Sequence, residues 1–129
     1  MSGEDGIVKL IGSKTEQEIR ELLIKSNQLL FKSEDKITLL EVIKSFYTEM
    51  ITAYIINWIP EQGEDIYKIL INDSIIAEIE LERNNSEIEP KVKTITISQY
   101  LKGLNKQNQI KLAVALDLAK KDLKDKGYC

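Results

Sequence analysis

Residues 75–82 alternate between apolar and acidic side chains, and this pattern constrains the fold more than any other feature of the chain. The apolar positions are Ile75, Ala77, Ile79 and Leu81, and the positions between them are Ile76, Glu78, Glu80 and Glu82. A period of two belongs to a β-strand, because successive side chains point to opposite faces of a sheet. The chain must therefore build a sheet that contains a strand with one apolar face and one acidic face.

Two more strands are predicted, one on each side of this segment. Residues 65–71 are rich in β-branched and apolar side chains, and the short polar turn Asn72–Ser74 separates them from residue 75. After a polar loop over residues 84–90, residues 92–97 again combine Val, Ile and Thr. The three segments together predict an antiparallel meander.

A long helix is predicted before the strands. It is expected to open at Ser33 or Thr38 and to end at Pro60, because proline cannot continue a helix. Its apolar side chains fall on more than one face, which is typical of the central helix of a core. The aromatic members of this segment are Tyr47, Tyr54 and Trp58. We interpret them as core residues, with a partner contact as the alternative.

Cap residues mark the other predicted helices. The caps are Thr15, with Glu18 in the capping-box position, Ser98 and Asn105. The helices are expected over about residues 16–31, from residue 98 to 101 and over about residues 106–126. The sequence therefore predicts one α+β domain over residues 1–129: two N-terminal helices, a three-stranded meander, then a short and a long helix packed on the sheet. Residues 1–13 are expected to be a mobile tail, or to add a strand at Ile7–Ile11.

The absence of histidine excludes several classes of enzyme. Without histidine, and with Cys129 as the single cysteine, the chain builds neither a Ser-His-Asp nor a Cys-His nucleophile system, nor an ordinary structural zinc site. No disulfide framework is possible, and we find no signal peptide or membrane-spanning stretch. We therefore expect a cytoplasmic protein that does not associate with membranes.

Carboxylates are the only abundant side chains with catalytic chemistry. Asp65 or Asp73 precedes Glu78-Ile79-Glu80 in an order similar to restriction-type nucleases, but Glu80 stands where the lysine of that pattern belongs. No glycine-rich phosphate loop, dinucleotide motif or calcium-loop spacing is present. We expect no catalytic, cofactor-binding or metal-binding residues, and a carboxylate-dependent metalloenzyme remains an alternative.

Charge is distributed unevenly along the chain. Residues 60–89 contain nine acidic residues against Lys68 and Arg83, a net charge of minus seven, whereas residues 90–129 have a net charge of plus six. The lysines near the end of the last helix suit its dipole, so we expect no direct binding of nucleic acid. The acids of residues 78–82 either solvate one face of a sheet, partly neutralised by the C-terminal lysines, or attract a basic partner.

The stretch from Tyr100-Leu101-Lys102-Gly103-Leu104 through Ile110–Ala119, in a small acidic chain with an acidic strand between apolar helices, resembles a class of bacterial proteins. The chain is similar to the immunity proteins of contact-dependent growth inhibition and related polymorphic toxin systems. This resemblance implies a protein that binds the toxin domain of its own locus and blocks its active site or substrate channel. Many such toxins are nucleases, whose channels are basic.

The resemblance implies an acidic contact with the toxin. The candidate partner-binding residues are Glu61, Glu64, Asp65, Glu78, Glu80, Glu82, Glu87 and Glu89. We expect the free protein to be a monomer. The main alternative is a secretion chaperone, which the chain resembles in composition and which would dimerise and hold an effector segment against an apolar surface.

Overall fold

The computed structural model describes residues 7–83 and 87–127. Along the chain its elements are α1 (Lys14–Lys32), a 3-10 helix (Glu34–Lys36), α2 (Ile37–Phe46), β1 (Ala53–Glu61), β2 (Glu64–Ile71), β3 (Ile75–Glu82), β4 (Lys91–Thr96), α3 (Ile97–Leu101) and α4 (Lys106–Asp125). The predicted α+β class is confirmed. The predictions made for residues 1–6 and for Cys129 lie outside the described residues.

The four strands form one antiparallel sheet in the order β1-β2-β3-β4. Each strand pairs with the next one in sequence, so the meander is confirmed, but it has four strands where three were predicted. The acidic strand β3 lies between β2 and β4, while β1 and β4 form the edges. The backbone N–H and C=O groups of β3 therefore pair with β2 and β4, and only the side chains of β3 are available to a partner.

The long helix predicted up to Pro60 is wrong beyond residue 46. α2 ends at Phe46, and residues 53–61 pair with β2 as the strand β1. The run from Ala53 to Ile59 is apolar at odd and even positions alike, so it has no period that separates a strand from a helix. Pro60 is compatible with β1 because an edge strand does not require every N–H group as a donor.

Asn72 fixes the start of β1 from the β2–β3 turn. Its side-chain oxygen accepts hydrogen bonds from the N–H groups of Ile51 and Thr52, over 2.8 and 3.1 Å. Its backbone φ of 52° lies in the left-handed region, which asparagine tolerates better than most residues. The turn after β2 thus holds the chain that enters β1.

Each face of the sheet has its own core. On one face, which we call the α4 face, the sheet packs against α1, α3 and α4 through Tyr54, Ile56, Leu70 and Ile76. On the opposite face, the α2 face, the sheet packs against α2 and the end of α1 through Ala53, Tyr67, Ile69, Ile71, Ala77 and Ile79. α3 and α4 both pack on the α4 face of the sheet.

The second helix was predicted to be the central helix of the core, but α4 has this position. Residues 112–119 of α4 are buried except for Asp117, whereas α2 buries only Leu39 and Ile43. The error came from counting the apolar side chains of β1 as part of a helix.

α1 covers the β1 edge of the sheet. Leu23 belongs to the core of the α4 face and Leu30 to the core of the α2 face, so the helix crosses β1 from one face to the other. Between them, the side-chain amide of Asn27 donates to the carbonyl of Ala53 over 2.9 Å. β4 is the exposed edge, and Lys91 and Lys93 on it are side chains that discourage pairing with another chain.

The helix caps differ slightly from those predicted. Asn105 caps α4 as predicted, by accepting from the N–H of Asn108 over 2.8 Å. Ser13 caps α1 in place of Thr15, and Thr96 caps α3 in place of Ser98. Among the described residues, no helix combines the length and the apolar character needed to cross a membrane.

Residues 7–13 lie against the domain and form no strand. Ile7 and Leu10 pack against the core of the α4 face. The Glu16 carboxylate accepts hydrogen bonds from the N–H groups of Ile11 and Gly12 over 2.8–3.1 Å. These donors, that of Ile11 first, hold the pKa of Glu16 below its ordinary value of 4.5. The segment is therefore anchored by a charged carboxylate.

Candidate interaction surface

Beyond its core, the α4 face continues towards the β1–β2 hairpin as three rows of side chains. The strand register places Asn57, Lys68, Glu78 and Lys93 in the first row, Ile59, Ile66, Glu80 and Lys91 in the second, and Glu61, Glu64 and Glu82 in the third. Neighbouring strands lie about 4.8 Å apart, and successive rows about 6.8 Å apart. We call these three rows the charged end of the α4 face.

Glu78, the acidic residue of the first row, is neutralised within the domain. Lys68 Nζ lies 2.5 Å from Glu78 Oε2, and both side chains are about three-quarters buried. Lys68 Nζ also lies 6.0 Å from the ring centroid of Tyr100 in α3. Burial, and then the charge of Glu78, raises the pKa of Tyr100. Glu78 is thus held by internal contacts, although the sequence placed it at the centre of the acidic surface.

The third row contains only carboxylates. Glu64 stands opposite Glu61 on one side and opposite Glu82 on the other. Neither these three residues nor Glu80 forms an ion pair within residues 7–83 and 87–127. Three strands at sheet spacing place the row within about 10 Å. The charged end therefore becomes more acidic towards the hairpin.

Asp65 lies on the other face of the sheet. It accepts a hydrogen bond from Trp58 Nε1 over 3.0 Å and is paired with Arg83 over 2.6 Å, and its side chain is only 12% exposed. Arg83 also donates to the carbonyls of Glu61 and Glu64. Asp65 therefore ties the hairpin to the end of β3 and does not join the surface on which it was predicted.

The two loop acids of the prediction lie outside the three rows of the charged end. Glu87 and Glu89 are exposed in the connection between β3 and β4. Glu89 lines a shallow groove with Thr38 and Val42 of α2, so it lies beside the α2 face. Five of the eight candidate residues thus share one surface, and these are Glu61, Glu64, Glu78, Glu80 and Glu82.

The carboxylates of the nuclease-like pattern do not converge. Asp65 and Glu78 lie on opposite faces of the sheet, and Asp73 lies in the turn at the far end of β3 from Glu80. In the part of the chain that the structure describes, no group of three or more acidic or cysteine side chains is arranged to hold a metal ion.

Sequence reasoning missed the two lysines of β4 that stand beside the acidic strand. Lys93 is the register partner of Glu78, and Lys91 is the partner of Glu80. The signal was present, because Lys93 lies in the strand predicted over residues 92–97, and Lys91, which has the same parity, directly precedes it. The surface is therefore mixed in charge at one end and acidic at the other.

These observations define the class of the protein as an α+β meander of four strands with helices on both faces and a charged sheet end. Comparison of the chain with protein-family models, with curated proteins and with solved structures found no match.

Proposed function

We propose that this chain is an immunity-type protein, which acts in the cytoplasm by binding a basic toxin domain and covering its active site or substrate channel. The contact is made by the charged end of the α4 face, with Glu61, Glu64, Glu80 and Glu82 as the main contributors. Glu78 contributes less, because Lys68 already neutralises it.

One observation supports this proposal above the others, namely the position of Glu64 between Glu61 and Glu82. Like charges directly opposite each other on neighbouring strands destabilise a sheet by roughly 0.2–1 kcal/mol per pair. A stable fold does not need such a row, and a lysine in place of Glu64 would remove the repulsion. An arrangement that costs stability is expected where a partner uses it.

The chemistry of the row suits a nuclease channel. Such a channel holds phosphates and must therefore be basic, so it accepts a dense group of carboxylates in place of its substrate. Complementary charge accelerates association and disfavours partners of the wrong sign. The lysines of β4 at the other end of the surface would then fix the orientation in which the partner docks.

A pull-down with the tagged protein tests this function. The bait is presented to a lysate of the source organism that also contains the products of neighbouring genes, and bound proteins are identified by mass spectrometry. We expect one basic toxin-like domain in a one-to-one complex, and we expect the complex to protect cells that express that domain. Recovery of an unfolded effector on a dimer of this chain would replace the proposal by the chaperone alternative.

A further inference from the structure

A second surface lies at the β1 edge, beside the first row of the charged end, with which it shares Asn57. There α1, β1 and the start of α4 enclose a groove of about 310 Å³, lined among others by Leu22, Leu29, Ile55, Trp58, Lys36 and Lys111. None of the described residues that line it is acidic. The groove therefore combines apolar walls with positive charge.

The apolar side chains that form the walls of this groove are largely exposed to solvent. Leu22 is 65% exposed, Leu29 48% and Trp58 49%. Leu22 and Leu29 are two helical turns apart on α1 and share one stripe, which is distinct from the stripe that α1 buries in the cores. Contiguous exposed apolar side chains of this kind are typical of interaction sites.

Trp58 is fixed in position before any partner binds. Its Nε1 donates to Asp65, and its ring stacks on Tyr67 with 5.8 Å between the centroids. Lys36 Nζ lies 4.1 Å from the Trp58 ring centroid and donates to the hydroxyl of Tyr67 over 3.1 Å. A ring held in this way loses little conformational freedom on binding, which favours affinity.

The two lysines of the groove, Lys36 and Lys111, form no ion pair with any described residue. Lys111 is partly buried, and this burial lowers the pKa of its ammonium group. An ammonium group in partly apolar surroundings is stabilised when a carboxylate reaches it.

We propose that this groove binds a partner protein segment in which one Asp or Glu is flanked by large apolar side chains. The carboxylate pairs with Lys111 and Lys36, and the flanking side chains pack on Leu22, Leu29 and Trp58. This site borders the charged end at Asn57, but its charge is opposite to that of the third row of carboxylates, so the two surfaces select different segments.

The single tryptophan of the chain is Trp58, so its fluorescence reports directly on the groove. The probe is a library of short blocked peptides with Glu fixed at the centre and Leu, Ile or Phe varied around it, and matched libraries carry Gln or Lys at the centre. We expect a saturable change in Trp58 emission with the Glu library. The Gln library should bind about tenfold more weakly, because it lacks the charge-assisted contact, and the Lys library should not bind.

Matched variants assign the effect to the groove. Lys111→Met should weaken binding of the Glu library about tenfold, while Lys44→Met, on the exposed side of α2, should leave it unchanged. Lys111→Met should also fold, because it replaces a partly buried charge by an apolar chain of similar length. Leu29→Ser should abolish binding, with Ile24→Ser, exposed on α1 outside the groove, as its control.

Three results would overturn the proposal. The first is no response of Trp58 to the Glu library up to about 1 mM, or an equal response to the Glu and Lys libraries. The second is binding of decanoate without binding of any peptide, which would assign the groove to a small amphiphile. The third is self-association that Leu29→Ser abolishes, which would assign the groove to a second copy of this chain. None of these results depends on whether a toxin domain binds the charged end.

Discussion

Asp65 and Glu64 are neighbours in sequence, but their side chains lie on opposite faces of the sheet and have different surroundings. Both belong to β2, where adjacent residues point to opposite faces, so Glu64 joins the charged end while Asp65 joins Trp58 and Arg83 on the α2 face. The parity of the predicted strand already implied this separation. This separation was missed because the acidic residues were grouped by their position along the chain.

Replacing Asp65 by Ala should therefore reduce stability and leave the charged end intact. The variant loses the acceptor of Trp58 Nε1 and the partner of Arg83, and because Arg83 is partly exposed we expect a loss of about 1.5 kcal/mol. Urea unfolding followed by Trp58 fluorescence measures the change. The control Glu41→Ala, on the exposed side of α2, should stay within about 0.5 kcal/mol. An equal effect of both variants would show that the Asp65 contacts do not stabilise the fold.

The contact of Glu16 with residues 11 and 12 should depend on pH. The pKa of Glu16 is lower in the folded protein than its ordinary value of 4.5, so its contribution is complete above pH 4.5 and is lost as the pH falls through the folded pKa. Amide proton shifts of Ile11 and Gly12, followed by NMR, should titrate with a midpoint below 4.5. Glu16→Gln should abolish this transition. A midpoint at or above 4.5 would contradict the assigned hydrogen bonds.

At the scale of elements, the sequence predicted segments with a clear period and failed where the period was missing. The alternation over residues 75–82 was identified because it matches one periodicity only. The β1 segment contacts both cores, so its apolar side chains follow neither a helical nor an alternating pattern. Only the pairing with β2 distinguishes it as a strand, and that pairing is a tertiary interaction.

Removing the charge of Glu64, at the centre of the third row, should stabilise the folded protein. Glu64→Gln removes two like-charge contacts across strands, so we expect the free energy of unfolding to rise by about 0.5 kcal/mol. Urea unfolding at low ionic strength measures this change, and added salt should reduce it. Glu41→Gln, which has no acidic residue across a strand, is the matched control. A decrease in stability would mean that the row does not repel itself and would remove the main support for the proposed function.

In the whole molecule, folding brings the acidic and the basic segments of the chain together, so their charges partly compensate each other. The acidic segment and the basic segment meet in β3 and β4, where lysines stand opposite Glu78 and Glu80. The net charge along the chain therefore overestimated the acidic surface, and only the hairpin end keeps its excess of carboxylates. The groove at the β1 edge was not predictable, because it joins α1, β1 and α4, which are distant in sequence.

The carboxylates of the charged end are proposed to attract a basic toxin domain. The association rate of that domain with the triple variant Glu61→Lys, Glu64→Lys and Glu82→Lys measures this attraction. A control variant with the same change in net charge carries Glu18→Lys, Glu41→Lys and Asp125→Lys on α1, α2 and α4. Glu78 is left unchanged because its reversal would also break the pair with Lys68.

We expect surface plasmon resonance at low salt to show association at least about tenfold slower for the charged-end variant than for the wild type, with the difference shrinking as salt is added. The control should associate within about twofold of the wild type, since its charges are distributed over other surfaces. Equal association rates for the two variants would contradict the account, because the charged end would then have no special part in binding.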